Sequence, residues 1–195
     1  MAVSLISTGV QFPDSTIQTT AATASAAPGL VLINAGTIAS GTSSANITSG
    51  FSSTYGGYTV SINGAMNTQD STLLRFICDG TVVTNSPYTY AGGGIYYTPG
   101  FVTGSSTYEG VWINSGGGTT GFRSLVNIFG TTTSGQLRAF YQSSTLTNGG
   151  SDSVVQGVKW NQVPFTTFSG IQIYGTAGQS TVGTLTYKIW GWVNA

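Results

Sequence analysis

The chain has 195 residues and a mass of 20.0 kDa, room for one domain and a short appendage. Five basic and five acidic residues cancel, histidine is absent and Cys78 is the one cysteine. These counts exclude a Ser-His-Asp triad, a Cys-His dyad, a histidine- or cysteine-built metal site, an intramolecular disulfide and the basic cluster that nucleic-acid binding needs.

Residues 1–28 differ in texture from the rest. Val10 and Phe12 precede Pro13-Asp14-Ser15, and Ile17 follows. Proline presets φ and aspartate bonds back to the chain, so this is turn chemistry. The expectation is a small hairpin with one apolar face. Such a hairpin is marginal alone and packs on the body, a sister subunit or a larger assembly; the bland alternative is a frayed terminus. Residues 19–27 are Ala-rich without a large apolar face, so they read as a linker into a second unit, residues 29–195. The opening MAVSLISTGVQ lacks the positive stretch of a signal peptide.

From residue 29 onward no apolar stripe of helical period persists, and Ser, Thr and Gly dominate. Period-two alternation recurs instead. A strand is expected over 29–38. Tyr58, Val60 and Ile62 alternate with polar neighbours, and Leu74, Phe76 and Cys78 alternate with Leu73, Arg75 and Ile77. Residues 88–91, 109–113, 125–129 and 170–174 are further strands. Leu137, Ala139 and Tyr141 alternate with Arg138 and Phe140; Val154, Gln156, Val158 and Trp160 form the next set. In the last strand Leu185, Tyr187 and Ile189 lie on the face opposite Trp190 and Trp192. Glycine runs at 92–94 and 116–121 read as flexible loops; neither is followed by Lys-Ser/Thr or a helix, as a phosphate loop would be. About ten short strands with polar turns predict an all-β fold, an antiparallel β-sandwich of jelly-roll type. No segment approaches the length of an apolar membrane helix. Edge strands usually carry charged gatekeepers. This chain has almost none, which points to covered edges and hence to an oligomer.

Candidate sites follow. Asp70 and Asp79 flank one strand, too far apart to act as a glycosidase pair. Glu109 and Asp152 have no sequence relationship that brings them together. No catalytic residue, metal site or cofactor is expected. Cys78 reads as a small buried hydrophobe. Asn46-Ile47-Thr48 fits the glycosylation pattern without a secretion signal. Trp190 and Trp192 suit a subunit interface, core packing or a ligand, in that order. Tyr96, Tyr97 and Phe101, in a long Gly/Pro loop over 92–106, suit either loop packing or receptor contact.

The string GVQFPDSTIQTTAA at 9–22 resembles a segment of bacteriophage tail-fibre and other virion proteins, of the form G-x-x-F-x-D-G-T-x-Q-T-T-A. Ser15 stands where glycine is usual. The run IQIYGTAGQSTVGTLTYKIWGWV at 171–193 is similar to the last two strands of β-sandwich domains in phage structural proteins, with Trp190-Gly191 where Tyr-Gly is common. The resemblance implies a virion component made in the host cytoplasm, usually a homotrimer. Residues 1–28, with Val10, Phe12, Pro13, Asp14 and Ile17, would attach it to other virion proteins, and the sandwich would be displayed outward on tail or capsid. The favoured expectation is a tail-fibre or adhesin component binding host-surface glycan without catalysis, nucleic acid or membrane insertion. A capsid decoration protein is the alternative, and a stand-alone carbohydrate-binding or glycan-cleaving module the third.

Overall fold

Hydroxyl-bearing and β-branched residues in alternation favour extended chain, and the computed structural model is built from strands alone among its described residues. These are 4–6, 9–11, 17–18, 29–66, 71–84, 88–95, 101–108, 110–115, 121–131, 137–146, 152–161, 165–175 and 181–193. In chain order the strands are β1 (Ser4–Ile6), β2 (Gly9–Gln11), β3 (Ile17–Gln18), β4 (Gly29–Ile38), β5 (Ser44–Ile47), β6 (Tyr55–Met66), β7 (Ser71–Cys78), β8 (Thr81–Val82), β9 (Tyr88–Ile95), β10 (Phe101–Tyr108), β11 (Val111–Ser115), β12 (Phe122–Phe129), β13 (Leu137–Leu146), β14 (Asp152–Asn161), β15 (Phe168–Gly175) and β16 (Thr181–Val193).

Two antiparallel sheets pack as a β-sandwich. The larger runs β10-β9-β14-β13-β12-β6-β16-β4, the smaller β11-β7-β15-β5 with β8 beside β7. The chain alternates between them: β4, β6, β12 and β16 lie in the large sheet, while β5, β7, β11 and β15 lie in the small one. The core fills the space between. Tyr58, Val60, Ile62, Val126, Ile128, Leu137 and Ile189 enter it from the large sheet, and Leu74, Phe76, Val111, Ile113, Ile171 and Ile173 from the small one. At one end the aromatic rings interlock. Tyr58 lies 4.8 Å from Phe51 and 5.6 Å from Phe168, whose ring meets Phe76 edge-on at 5.9 Å. The Tyr58 hydroxyl donates to the Ser52 carbonyl at 2.7 Å and accepts from the Ser52 N–H at 2.9 Å, so its burial leaves no polar atom unpaired.

One of three further features, the second, overturns the sequence expectation, and the other two add to it. First, β7 is buried on both faces. Leu74, Phe76 and Cys78 face the core, yet Leu73, Arg75 and Ile77 are buried too. Arg75 is only 7% exposed; its guanidinium stacks 3.8 Å above the Tyr174 ring and donates to Gln172 at 3.4 Å.

Second, residues 92–94 and 101–106 are strand and not loop. Strands β9 and β10 form a hairpin in which Gly92 pairs with Gly104, and Gly92 also registers with Gly157 of β14. Glycines inside strands carry no alternation, so period-two reading misses them.

Third, Asp79-Gly80 makes a two-residue hairpin turn between Cys78 and Thr81, with φ of 50° and 76°. Both angles are positive, as a type I′ turn requires, and Asp-Gly is its sequence signal. The Asp79 carboxylate accepts from the Thr167 N–H at 2.7 Å and the Thr166 N–H at 3.1 Å, while its own N–H donates to the Thr167 carbonyl at 2.8 Å. The hairpin is thereby tied to the chain entering β15.

The N-terminal segment forms its own three-stranded sheet, β1-β2-β3. The expected β2–β3 hairpin is present, with Gln11 opposite Ile17 and Val10 opposite Gln18; β1 adds a third strand, Leu5 opposite Val10. Phe12, Pro13, Asp14 and the linker at 19–27 lie outside the described residues.

Candidate functional site

Strand register sorts the large sheet into two faces. Val126 pairs with Val60 and Val60 with Ile189, a row that points into the core. The rows between belong to the outer face. Phe129 pairs with Arg138 and Gly57; Asn127 with Phe140 and Thr59; Leu125 with Ser61. Trp190 pairs with Thr59 and Leu32, and Trp192 with Leu30. Trp190 and Trp192 thus share the outer face, as their position opposite Tyr187 and Ile189 in the sequence predicts. Both are half-buried.

This outer face is aromatic and apolar at many positions. Leu30 and Leu32 on edge strand β4 are 58% and 53% exposed, Val31 beside them is also exposed, and Leu125 and Phe140 are 43% and 42% exposed. Trp192 is held in place: its ring meets Phe129 edge-on at 4.7 Å, and its indole N–H donates to Thr59 Oγ1 at 2.8 Å. Thr59 Oγ1 in turn donates to Asn127 Oδ1 at 2.8 Å. A shallow groove of about 370 Å³ opens beside Trp192, lined by Gly29, Leu30, Trp192 and Val193. Three cations rim the face. Arg123, Arg138 and Lys188 are all exposed, on β12, β13 and β16 respectively.

Other predicted positions behave differently. Phe101 opens β10 opposite Ile95 and so is not a loop residue; Tyr96 and Tyr97 lie outside the described residues, as do Asp70 and Glu109. Asp152 begins β14 opposite Leu146. Asp79 is committed to its turn, where the backbone N–H groups of Thr166 and then Thr167 hold its carboxyl below the ordinary range. Cys78 is buried in the core, and its thiol is pushed up to about 12, first by burial and then by the adjacent Asp79 charge. At neutral pH it is a protonated thiol, a poor nucleophile. Asn46 is a strand residue whose Oδ1 accepts from Gln172 Nε2 at 2.9 Å.

Sequence reading missed Leu30, Leu32, Leu125, Phe129 and Phe140 as surface residues. Each stood in an expected strand. What could not be read was which side faced out, because apolar residues occupy both phases of the alternation. Comparison with protein-family models and with curated proteins found no match for this chain.

Proposed function

We propose that this protein is a bacteriophage virion component: a homotrimeric, non-catalytic attachment protein of tail-fibre or adhesin type. Residues 1–28 anchor it to the particle and the sandwich faces the host surface. The observation that carries the reading is the outer face of the large sheet. Leu30 and Leu32 at its edge, next to Trp190 and Trp192, form an apolar border that a subunit or particle neighbour would cover. The remainder, over β12 and β13, stays free to bind.

The strand order supports a jelly roll within the sandwich. Counting only β4, β5, β6, β7, β11, β12, β15 and β16, the sheets run first-eighth-third-sixth and second-seventh-fourth-fifth. Successive strands lie in opposite sheets except the fourth and fifth, β7 and β11, which pair with each other. This is the order of a rolled double Greek key, and the hairpins β9–β10 and β13–β14 extend one sheet. Jelly rolls serve both viral capsids and lectins, and fold alone does not choose between them. The separate N-terminal sheet supports an attachment arm distinct from the body.

The exposed β4 edge also favours the second reading, a capsid decoration protein, because an unpaired apolar edge suits a clamp between shell subunits. One experiment separates the two. The labelled full-length chain is imaged on particles, and a variant lacking residues 1–28 is tested for incorporation. Label at the tail with loss of incorporation upholds attachment through the arm. Label over the shell transfers the reading to decoration. Unchanged incorporation of the deletion variant overturns the anchor role. Mass measurement of the free chain at micromolar concentration should give a trimer; a monomer overturns that part.

A further inference from the structure

We propose that the outer face over β12 and β13 is a binding strip for a polyanionic glycan. Arg123 and Arg138 would meet its carboxylates, and Phe140 and Phe129 would pack against its sugar rings. The proposal rests on the attachment reading above and names the class of ligand that reading leaves open.

The first support is where the charge lies. Five cations occur in the chain, and three of them, Arg123, Arg138 and Lys188, are exposed on this one face. Arg75 is buried in the other sheet against Tyr174. Of the acids, Asp79 sits in the β7–β8 turn of the small sheet. By register Asp152 belongs to this same face, two strands and one row from Arg123, roughly 12 Å. On the described strands this face therefore sets three cations against one acidic position.

The second support is how the strip is laid out. Arg138 pairs with Phe129, and Arg123 stands six residues before Phe129 on the same strand, so the two guanidinium stems are roughly 20 Å apart along β12. Between them lie exposed Leu125 and Phe140 and half-buried Asn127. Lys188 flanks the strip from β16, in the row of Ser61 and Leu125. An extended chain lying along β12 meets a cation at each end and an aromatic surface between. Guanidinium groups grip carboxylates bidentately, and aromatic rings offer a flat apolar surface with little rotamer entropy to lose. Asn127 is already oriented by Thr59.

Charge also selects against the other occupants. A second copy docked face to face would set cations against cations, or bury them without acids, at a desolvation cost. A neutral glycan would leave the arginines without a role. Three cations would neutralise too few phosphates for the counterion release that drives tight nucleic-acid binding.

The test uses the full-length chain with three immobilised probes: polygalacturonate, which carries a carboxylate on every sugar, neutral dextran, and single-stranded DNA. The expected result is binding to polygalacturonate, none to dextran, and weakening by several-fold between about 50 and 200 mM salt. The double variant Arg123→Gln/Arg138→Gln should bind on the order of tenfold more weakly, and Phe140→Ala several-fold more weakly with the salt dependence kept. All three residues are exposed, so the melting temperature should not move and a fold defect would be visible as such. Equal retention on dextran, no retention on polygalacturonate, tighter retention on DNA, or wild-type binding by the double variant would each overturn the proposal. Adsorption of the same proteins to the cells that the particle infects keeps the two readings apart. A chain that adsorbs to cells but ignores polygalacturonate loses the glycan strip and keeps attachment. A chain that binds polygalacturonate but never adsorbs keeps the strip and loses attachment.

Discussion

The indole N–H of Trp192 donates to Thr59 Oγ1 at 2.8 Å, joining residues 133 positions apart in the chain. The Thr59 hydroxyl in turn donates a hydrogen bond to Asn127 Oδ1. Three adjacent strands, β16, β6 and β12, are thereby linked by side chains on the outer face in addition to their backbone ladders. Replacing Thr59 by the isosteric valine leaves an indole donor and an amide oxygen without this partner. The expected loss is about 1 kcal/mol, the low end of the range, because the site is part-buried and water reaches it. Urea unfolding measures it, and near-ultraviolet circular dichroism should show Trp192 losing its fixed orientation. An unchanged midpoint and spectrum would mean that the edge-on contact with Phe129 holds Trp192 alone.

Gly57 sits in the same row as Phe129 and Arg138. A Cβ there would come within 2.6 Å of the Ile128 carbonyl oxygen, which belongs to the neighbouring strand and cannot rotate away. Gly57→Ala should therefore cost about 1–3 kcal/mol through overpacking. Denaturant titration checks the figure. A neutral substitution would show that β6 and β12 separate more easily than their continuous pairing implies.

Asp79 gives a pH dependence of known sign. Backbone N–H groups of Thr166 and Thr167 favour its charged form in the fold, so its folded pKa lies below the ordinary 3.8. A depressed carboxyl contributes stability that is present above the unfolded value and is lost as pH falls through 3.8 and below it. Asp79→Asn keeps a residue that tolerates the left-handed turn and removes the charge. The wild-type chain should melt higher than this variant at pH 6, and the gap should close well below pH 3.8. A gap of the same size at both pH values would overturn the charge-assisted hydrogen bonds as its source.

Cys78 works in the opposite direction. Its pKa rises from 9.0 to about 12 on folding, so the folded chain holds its proton more tightly. Stability is unaffected below pH 9 and declines as pH rises from 9 toward 12. At neutral pH a thiol reagent such as Ellman's should react only as fast as the chain opens, and addition of urea past the midpoint should release one thiol per chain. Prompt reaction in the folded state would place Cys78 at the surface.

Much of the fold was legible. The strand over 29–38 matches β4 residue for residue, and the alternations around Tyr58, Leu74, Leu137, Val154 and Leu185 all fall in strands. The opposition of Trp190 and Trp192 to Tyr187 and Ile189 also holds, although a bulge falls between Ile189 and Trp190. Less visible were the short β5 and β8 and the glycine-bearing β9–β10 hairpin. In those, two to four residues or a run of glycines give no period to read. The Asp79-Gly80 turn was legible in principle, since Asp-Gly between apolar runs is a hairpin signal. The candidate site was only half legible. Its tryptophans were found, but Phe129, Phe140 and Leu125 were counted only as strand formers.

By itself the sequence determined that this chain is a strand protein with little charge to guard its edges. Period-two alternation, abundant Ser and Thr, and the scarcity of charged helix formers are local properties, and local physics reads them. The tertiary structure alone decided which face of each strand is inside. In β12, Phe122, Val126 and Ile128 compete with Leu125 and Phe129 for the core, and both sets are apolar enough to win. The choice is made by pairing with β6 and β13, through partners tens of residues away, so that one set faces β11 and the small sheet while the other faces out. The scarcity of charge that opened the sequence also resolves at this level. Three of five cations converge on one sheet face because register, and not sequence proximity, brings Arg123, Arg138 and Lys188 together.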